Sequence, residues 1–184
     1  MTEKTPRRAF LRMSAMATTG IALLPSATIN AFNEPSSPFE GYNAYAEEKT
    51  DLRTLPFGKH VRVSGTIFNH LGTTPLANAQ VEVWHMSPNS TKFRHRGKCK
   101  TDATGAYSFI TDLPNNEKGR SGRIYFKVSK DGNTYFTELV VTPYFAHITS
   151  KHWKENKQLE DRVFLKRDTH FGETRINFNI ALNQ

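Results

Sequence analysis

Residues 123–141 read Arg-Ile-Tyr-Phe-Lys-Val-Ser-Lys-Asp-Gly-Asn-Thr-Tyr-Phe-Thr-Glu-Leu-Val-Val. Two alternating runs, Arg123 to Val128 and Thr134 to Val141, flank Asp131-Gly132-Asn133. Alternation at period two sends one set of side chains to a core and the other outward, and Asp-Gly supplies the backbone freedom of a tight turn. The stretch is a β-hairpin. The same pattern recurs on either side of it. Upstream, Val61 to Phe68 alternates, a turn follows at Gly72 to Pro75, and Ala79 to Trp84 alternates around Val81 and Val83. Asp102-Ala103-Thr104-Gly105 then turns into Ala106 to Ile110. Downstream, Arg175 to Leu182 places Ile176, Phe178, Ile180 and Leu182 on one side. Short strands at this spacing predict an all-β fold, an antiparallel β-sandwich. Ser150 to Glu160 predicts one short helix.

With 184 residues, of which 37% are hydrophobic and 13 are Phe, the chain can fill the core of one domain and is not a disordered polymer. Its single cysteine, Cys99, excludes an internal disulfide framework and a cysteine-rich metal site. Lys98 and Lys100 flank that thiol, which reads either as one of lowered pKa or, more commonly, as a small strand residue. The basic alternation from Lys92 to Lys100 reads equally as a polyanion site and as a solvated strand face.

The first residues read as an address. Arg7-Arg8-Ala9-Phe10-Leu11, followed by a modest apolar run to Leu24, resembles a twin-arginine export signal over residues 1–31. That run is too short and too polar to span a bilayer. The expectation is a periplasmic or secreted protein without a membrane anchor. Removing residues 1–31 takes Lys4, Arg7, Arg8, Arg12 and Glu3 with it, so the net charge of +8 drops by three. The remainder is too mild to argue for nucleic acid. Residues 32–58 read as an irregular arm, and residues 59–184 as the sandwich, with no repeat and no second domain.

Three segments together resemble a known family. They are Val63-Ser64-Gly65-Thr66, then Pro75-Leu76-Ala77-Asn78-Ala79-Gln80-Val81-Glu82-Val83-Trp84-His85, then Thr101-Asp102-Ala103-Thr104-Gly105-Ala106-Tyr107-Ser108-Phe109. They resemble the core of the intradiol ring-cleavage dioxygenases, the protocatechuate and catechol enzymes. The likeness runs on through Arg120-Ser121-Gly122-Arg123-Ile124-Tyr125-Phe126 and Thr137-Glu138-Leu139. It implies the intradiol dioxygenase sandwich, a fold of transthyretin (prealbumin) type. It also implies a non-haem ferric cofactor held by two tyrosinates and two histidines.

The residues at the implied ligand positions depart from that pattern. The family's His-x-His falls on Arg123 and Tyr125, and a guanidinium is no metal ligand. The first tyrosine falls on Phe93, and the second falls after Pro114, where the chain reads Asn115-Asn116-Glu117-Lys118. The arginine preceding the His-x-His is kept as Arg120. A rearranged set of His85, His95, Tyr107, Tyr125 and Glu117 is the chemically allowed way to keep a metal, but no spacing asks for it. The resemblance therefore leaves a pocket lined by Arg120, Arg123, Tyr125 and His85 as candidate catalytic groups. His95 and Phe93 are the candidate ligand-binding residues, and no metal ligand is recognised.

Three functions fit: a divergent ferric ring-cleaving dioxygenase acting on a catechol-type substrate, a binding protein or iron-free partner subunit, and a metal-free enzyme reusing the pocket. The expected partners are a small aromatic or anionic molecule and further protein chains in a homo- or hetero-oligomer.

Overall fold

The computed structural model describes residues 37–54 and 57–182. The expected signal segment and its cleavage point lie outside those residues. Among the described residues, the strands are β1 (His60–Phe68), β2 (Gln80–His85), β3 (His95–Lys100), β4 (Ala106–Asp112), β5 (Arg123–Lys130), β6 (Asn133–Val141), β7 (Ala146–Ile148), β8 (Lys166–His170), β9 (Glu173–Asn177) and β10 (Ile180–Ala181). One sheet runs β3-β2-β5-β6-β7. In the other, β4 pairs with one side of β1, while β9 and then β10 pair with its opposite side, and β8 follows β9. The architecture is the all-β sandwich that the alternation implies.

The inner faces supply the core. Val61, Val63 and Ile67 of β1 meet Val81 and Val83 of β2, Ile124, Phe126 and Val128 of β5, and Ile176, Phe178 and Ile180 near the C-terminus, all almost fully buried. The predicted hairpin forms with Lys130 opposite Asn133.

Two details differ from the sequence reading. Not every pairing is antiparallel, because β1 runs parallel to both β9 and β10. The alternating run Arg175 to Leu182 also breaks into two strands at Phe178 and Asn179. There the Asn179 side chain accepts the Thr66 amide at 2.9 Å, and the Phe178 carbonyl accepts the Tyr107 hydroxyl at 2.6 Å. Gly65 permits this, since any Cβ at that position would collide with the Phe178 carbonyl.

The predicted short helix is α1 (Ser150–Glu155), capped by the Thr149 hydroxyl, and it leads into a 3₁₀ helix at Lys157–Val163. Leu159 and Val163 of the latter pack on Phe68 and Ala181. The basic stretch resolves into β3, the edge of its sheet. Residues 47–49 hydrogen-bond along Lys98, and residues 50–52 do the same along Ile110 of β4. The arm thus spans the gap between the two sheet edges and drives Leu52 into the core. Gly97 lets it pass, because a Cβ there would strike the Lys49 carbonyl and the Leu52 side chain. Cys99 lies under this crossing. Burial, helped by Glu48, pushes its thiol up to about 11, which decides against the reading of a lowered value.

Candidate functional site

The predicted site residues fall on two opposite faces of one sheet. Successive residues of a strand point to opposite sides, so Trp84 and Tyr125, paired across β2 and β5, face outward. His85 and Ile124, the next pair, face the core.

On the outer face, Trp84, Met86, Phe93, Tyr125 and Phe136 form a second apolar cluster, roofed by Phe39 and Tyr42 of the arm. The Phe39 ring stacks on Tyr125 at 4.7 Å, Tyr42 lies 5.1 Å from Trp84, and the Trp84 indole N–H donates to the Glu40 carbonyl at 3.0 Å. Several polar groups beneath this roof pair with one another, although Glu117 Oε1 and Arg123 Nε are buried without a hydrogen-bond partner among the described residues. Tyr125 Oη donates to Glu117 Oε2 at 2.6 Å, and Arg123 pairs with Glu138 at 2.7 Å. Burial raises the Tyr125 phenol well above its ordinary pKa, and the hydrogen bond to the Glu117 carboxylate and its charge add to that. Lys127 and Glu82, buried at 3.3 Å, share the Tyr42 hydroxyl, which accepts from the ammonium and donates to the carboxylate. Arg120 stands exposed on the Glu117–Arg120 turn, 4.0 Å from Glu117 Oε2. Tyr125, at 3% exposure, is buried beneath this roof.

On the inner face, β2 and β3 set His85 opposite His95, and their rings stack at 4.6 Å. His85 Nδ1 lies 2.8 Å from the Met86 carbonyl, which can only accept, so the proton sits on Nδ1 and Nε2 accepts the Thr111 hydroxyl at 2.6 Å. Burial, together with the neighbouring His95, drops the His85 pKa to about 3. His95 joins Ser87 to Asp112, with Nδ1 2.9 Å from Ser87 Oγ and Nε2 2.9 Å from Asp112 Oδ2. That same oxygen accepts the Thr54 amide and hydroxyl, each at 2.9 Å, while Asp112 Oδ1 lies 3.4 Å from His60 Nε2. Burial alone would raise the Asp112 carboxyl. The hydrogen bonds from Thr54 and His95 outweigh it and hold the pKa below its ordinary value.

A single pocket holding Arg120, Arg123, Tyr125, His85 and His95 is thus corrected: the β2–β5 sheet lies between the arginines and the histidines. The rearranged ligand set is split in the same way, because Tyr107 bonds to the Phe178 carbonyl while Tyr125 and Glu117 lie on the outer face. Among the described residues, no group of three or more His, Cys, Asp or Glu is placed to hold a metal ion. No helix among them is long and apolar enough to cross a membrane.

Asp112 opens onto a cleft of about 310 Å³ at one end of the sandwich. Lys59, Asn89, Asn115 and Asn116 supply its polar groups, and Pro88, Pro114 and Pro143 are among its apolar walls. Sequence reasoning met Pro114, Asn115 and Asn116 only as the place where the family's second tyrosine is missing, and named none of the cleft residues as a site. The one local signal was a carboxylate at the end of the strand that follows the Ala106 to Ile110 alternation.

No family model matches the chain. It is 29% identical over 111 residues to the protocatechuate 3,4-dioxygenase beta chain of Burkholderia cepacia, a match covering 49% of this chain and 46% of that one. The chain therefore spans about half the length of the curated relative it matches. Among solved structures it resembles the dioxygenase domain of a dioxygenase carbohydrate-binding protein fusion from Streptomyces sp. SirexAA-E, with a TM-score of 0.59 and 20% identity, covering 79% of this chain and 95% of that chain. An intradiol ring-cleavage dioxygenase from Tetranychus urticae gives 0.57 at 14% identity, covering 77% and 89%. Chlorocatechol 1,2-dioxygenase from Pseudomonas putida gives 0.58 at 18% identity, covering 78% and 69%. The chain is intradiol-dioxygenase-like, and its fold is theirs.

Proposed function

We propose that the chain is a metal-free, small-molecule-binding protein on the intradiol dioxygenase scaffold, with its ligand site in the Asp112 cleft. The supporting observation is what the family-ligand positions do here. Phe93 has no donor atom, and Arg123 is a permanent cation paired with Glu138. Tyr125 is held as a phenol by its bond to Glu117 and lies beneath Phe39, whereas a ferric ligand must be a phenolate. Asn115-Asn116-Glu117-Lys118 contains no tyrosine. His85 and His95 sit across the sheet, already committed to Met86, Thr111, Ser87 and Asp112. These donors do not fit a ferric ion held by tyrosinates and imidazoles.

The test is iron loading of the purified chain, followed by metal analysis and a visible spectrum. Sub-stoichiometric iron and no charge-transfer band are expected. Stoichiometric iron with a broad visible band would return the dioxygenase reading.

A metal-free reaction in the cleft is the second reading, and one observation favours it. The Ser87–His95–Asp112 chain has hydrogen bonds of 2.9 Å at both links, a geometry able to move a proton toward the cleft floor. Asp112→Asn separates the two readings: a binding protein loses affinity alone, an enzyme loses turnover.

Assembly with further chains belongs to the same proposal and is supported by the match to a protein named as a beta chain. Sedimentation at increasing concentration tests it. Export rests on Arg7-Arg8-Ala9-Phe10-Leu11 and is tested by fractionating cells that carry Arg7→Lys/Arg8→Lys beside the native chain.

A further inference from the structure

We infer that the end of the sandwich carrying Phe171 docks on an anionic lipid surface, with the rings of Phe171, Tyr144, Phe145 and Phe57 entering the headgroup layer. The inference stands whatever the cleft binds. It starts from a side chain for which the fold itself has no use.

His170 and Glu173 pair across β8 and β9, which leaves Phe171-Gly172 as a two-residue turn with φ of +45° and +80°. A turn with both central residues in the left-handed region favours Asn, Asp or Gly at its first position, and a bulky side chain there is strained. The β5–β6 hairpin shows the favoured solution in the same chain, with Asp131 at +51° and Gly132 at +84°. Phe171 takes the strained position, is 97% exposed, and meets the edge of the His170 ring at 4.3 Å. Folding gains almost nothing from burying this ring. Strain held at an exposed aromatic points to a contact outside the chain.

Three further aromatics share that end. Strands β1 and β9 run in parallel register from His60 and Glu173, so the approach to β1 and the Phe171 turn leave the sheet side by side. Exposed Phe57 lies in that approach, two residues before Lys59. Lys59 Nζ is 6.0 Å from the centre of the Tyr144 ring, and Arg167 Nη2 donates to the Pro143 carbonyl at 3.5 Å. These contacts bring the turn between β6 and β7 to the same end. Tyr144 is exposed there and Phe145 half-exposed. The Thr142 hydroxyl holds this turn in shape by accepting the Tyr144 and Phe145 amides at 3.3 and 3.0 Å, which lowers the ordering cost of presenting its rings.

Charge and spacing select the partner. Glu173 pairs with Arg62 and Arg175, Asp51 pairs with Arg53, and Asp112 is buried against His95. Asp168 stands opposite Arg175 across β8 and β9. Lys59 and Arg167 make no ion pair among the described residues, and lie instead over the Tyr144 ring and on the Pro143 carbonyl. This end therefore offers uncancelled positive charge to an anionic surface. The rings stand on three separate turns with these cations interspersed, whereas a protein partner needs one continuous, closely packed patch. A headgroup layer takes separate rings and keeps the cations between them hydrated, the depth at which aromatic side chains settle.

The experiment is flotation of the full chain with vesicles of equal parts phosphatidylglycerol and phosphatidylcholine, beside vesicles of phosphatidylcholine alone. Binding to the anionic vesicles is expected, and it should weaken as salt rises. Arg167→Gln should weaken it about fivefold, the effect of one cation near such a surface. Phe171→Asn should weaken it about tenfold, from the apolar area withdrawn, at a melting temperature unchanged or raised, because Asn suits the turn. Tyr144→Ser is a second exposed variant with a loss in the same direction. Phe171→Trp should add a fluorescence component that shifts to the blue on anionic vesicles. Absence of binding, equal binding to phosphatidylcholine alone, or binding that neither Phe171→Asn nor Tyr144→Ser weakens overturns the inference. The last of these assigns lipid binding to another part of the chain. If vesicles are ignored and the chain instead self-associates in a way that Phe171→Asn reverses, this end is a protein interface and the lipid surface is refuted.

Discussion

Removing the Asp112 carboxylate is expected to destabilise the fold more than any other single loss of a polar group near the cleft. Asp112 is 2% exposed and gathers the Thr54 amide, the Thr54 hydroxyl and His95 Nε2 on one oxygen, with His60 beside the other. In Asp112→Ala, exposed Thr54 regains water, so its two bonds cost only about 0.5–1.5 kcal/mol each. His95, buried beneath the stacked ring of His85, cannot, and an unmet buried donor costs about 1–3 kcal/mol. The sum is ~2–6 kcal/mol, a span that brackets the ~3–5 kcal/mol seen when one partner of a buried charged pair is removed. Asp112→Asn keeps an acceptor for Thr54 and His95 and forfeits only the charge-assisted part, so about 1–2 kcal/mol is expected.

Urea unfolding followed by Trp fluorescence at constant m-value gives both numbers. An Ala loss under about 1 kcal/mol, or equal losses for Ala and Asn, would refute the claim that His95 depends on this carboxylate. The pH sign follows from the depressed pKa. Asp112 contributes stability that is present above the unfolded value of about 3.9 and lost as pH falls through the folded value. Asp112→Asn should flatten that acid limb. Because Thr54 closes the arm onto Asp112, Asp112→Ala should also speed proteolytic cleavage in residues 47–54.

Three further outcomes are expected. His85 folds neutral with a pKa of about 3 while the unfolded imidazole titrates near 6.5, so the unfolded state binds more protons between those values and stability falls as pH drops through that window. His85→Gln should flatten the decline in pH-dependent melting, and an unchanged slope would deny that the ring is neutral. Tyr125→Phe leaves Glu117 Oε2 without its 2.6 Å donor and should cost about 1.5–3 kcal/mol, with Glu117→Gln coupled to it in a double-mutant cycle. In alkaline spectrophotometric titration the same variant should lose one late-ionising phenol. Gly65→Ala sets a methyl against the Phe178 carbonyl and should cost ~1–3 kcal/mol or more, read as a lowered Tm. A neutral result would mean that β1 does not dictate the break between β9 and β10.

The alternating runs around Val63, Val83, Phe126 and Leu139 determined the sandwich by themselves, because period-two burial is a local property of a strand and needs no partner to be read. The same locality placed Arg123 with Tyr125 on one face and marked Phe93 as a residue without a donor. It was silent on which faces meet. His85 stands next to Trp84 in the chain, yet one residue step carries it across the sheet to stack on His95, away from Arg123 and Tyr125. Strand β8, five exposed residues with no apolar face, carried no alternation to detect and forms by pairing with β9. The break at Phe178 came from a collision avoided at Gly65, more than a hundred residues earlier in the chain. Asp112, Thr54 and Ser87 are ordinary polar residues in sequence, and they become a network only where β3, β4 and the arm converge. Periodicity fixes the side of a strand on which a group lies. Which groups share a cavity depends on register and on chain crossings, and those were decided only by the tertiary structure.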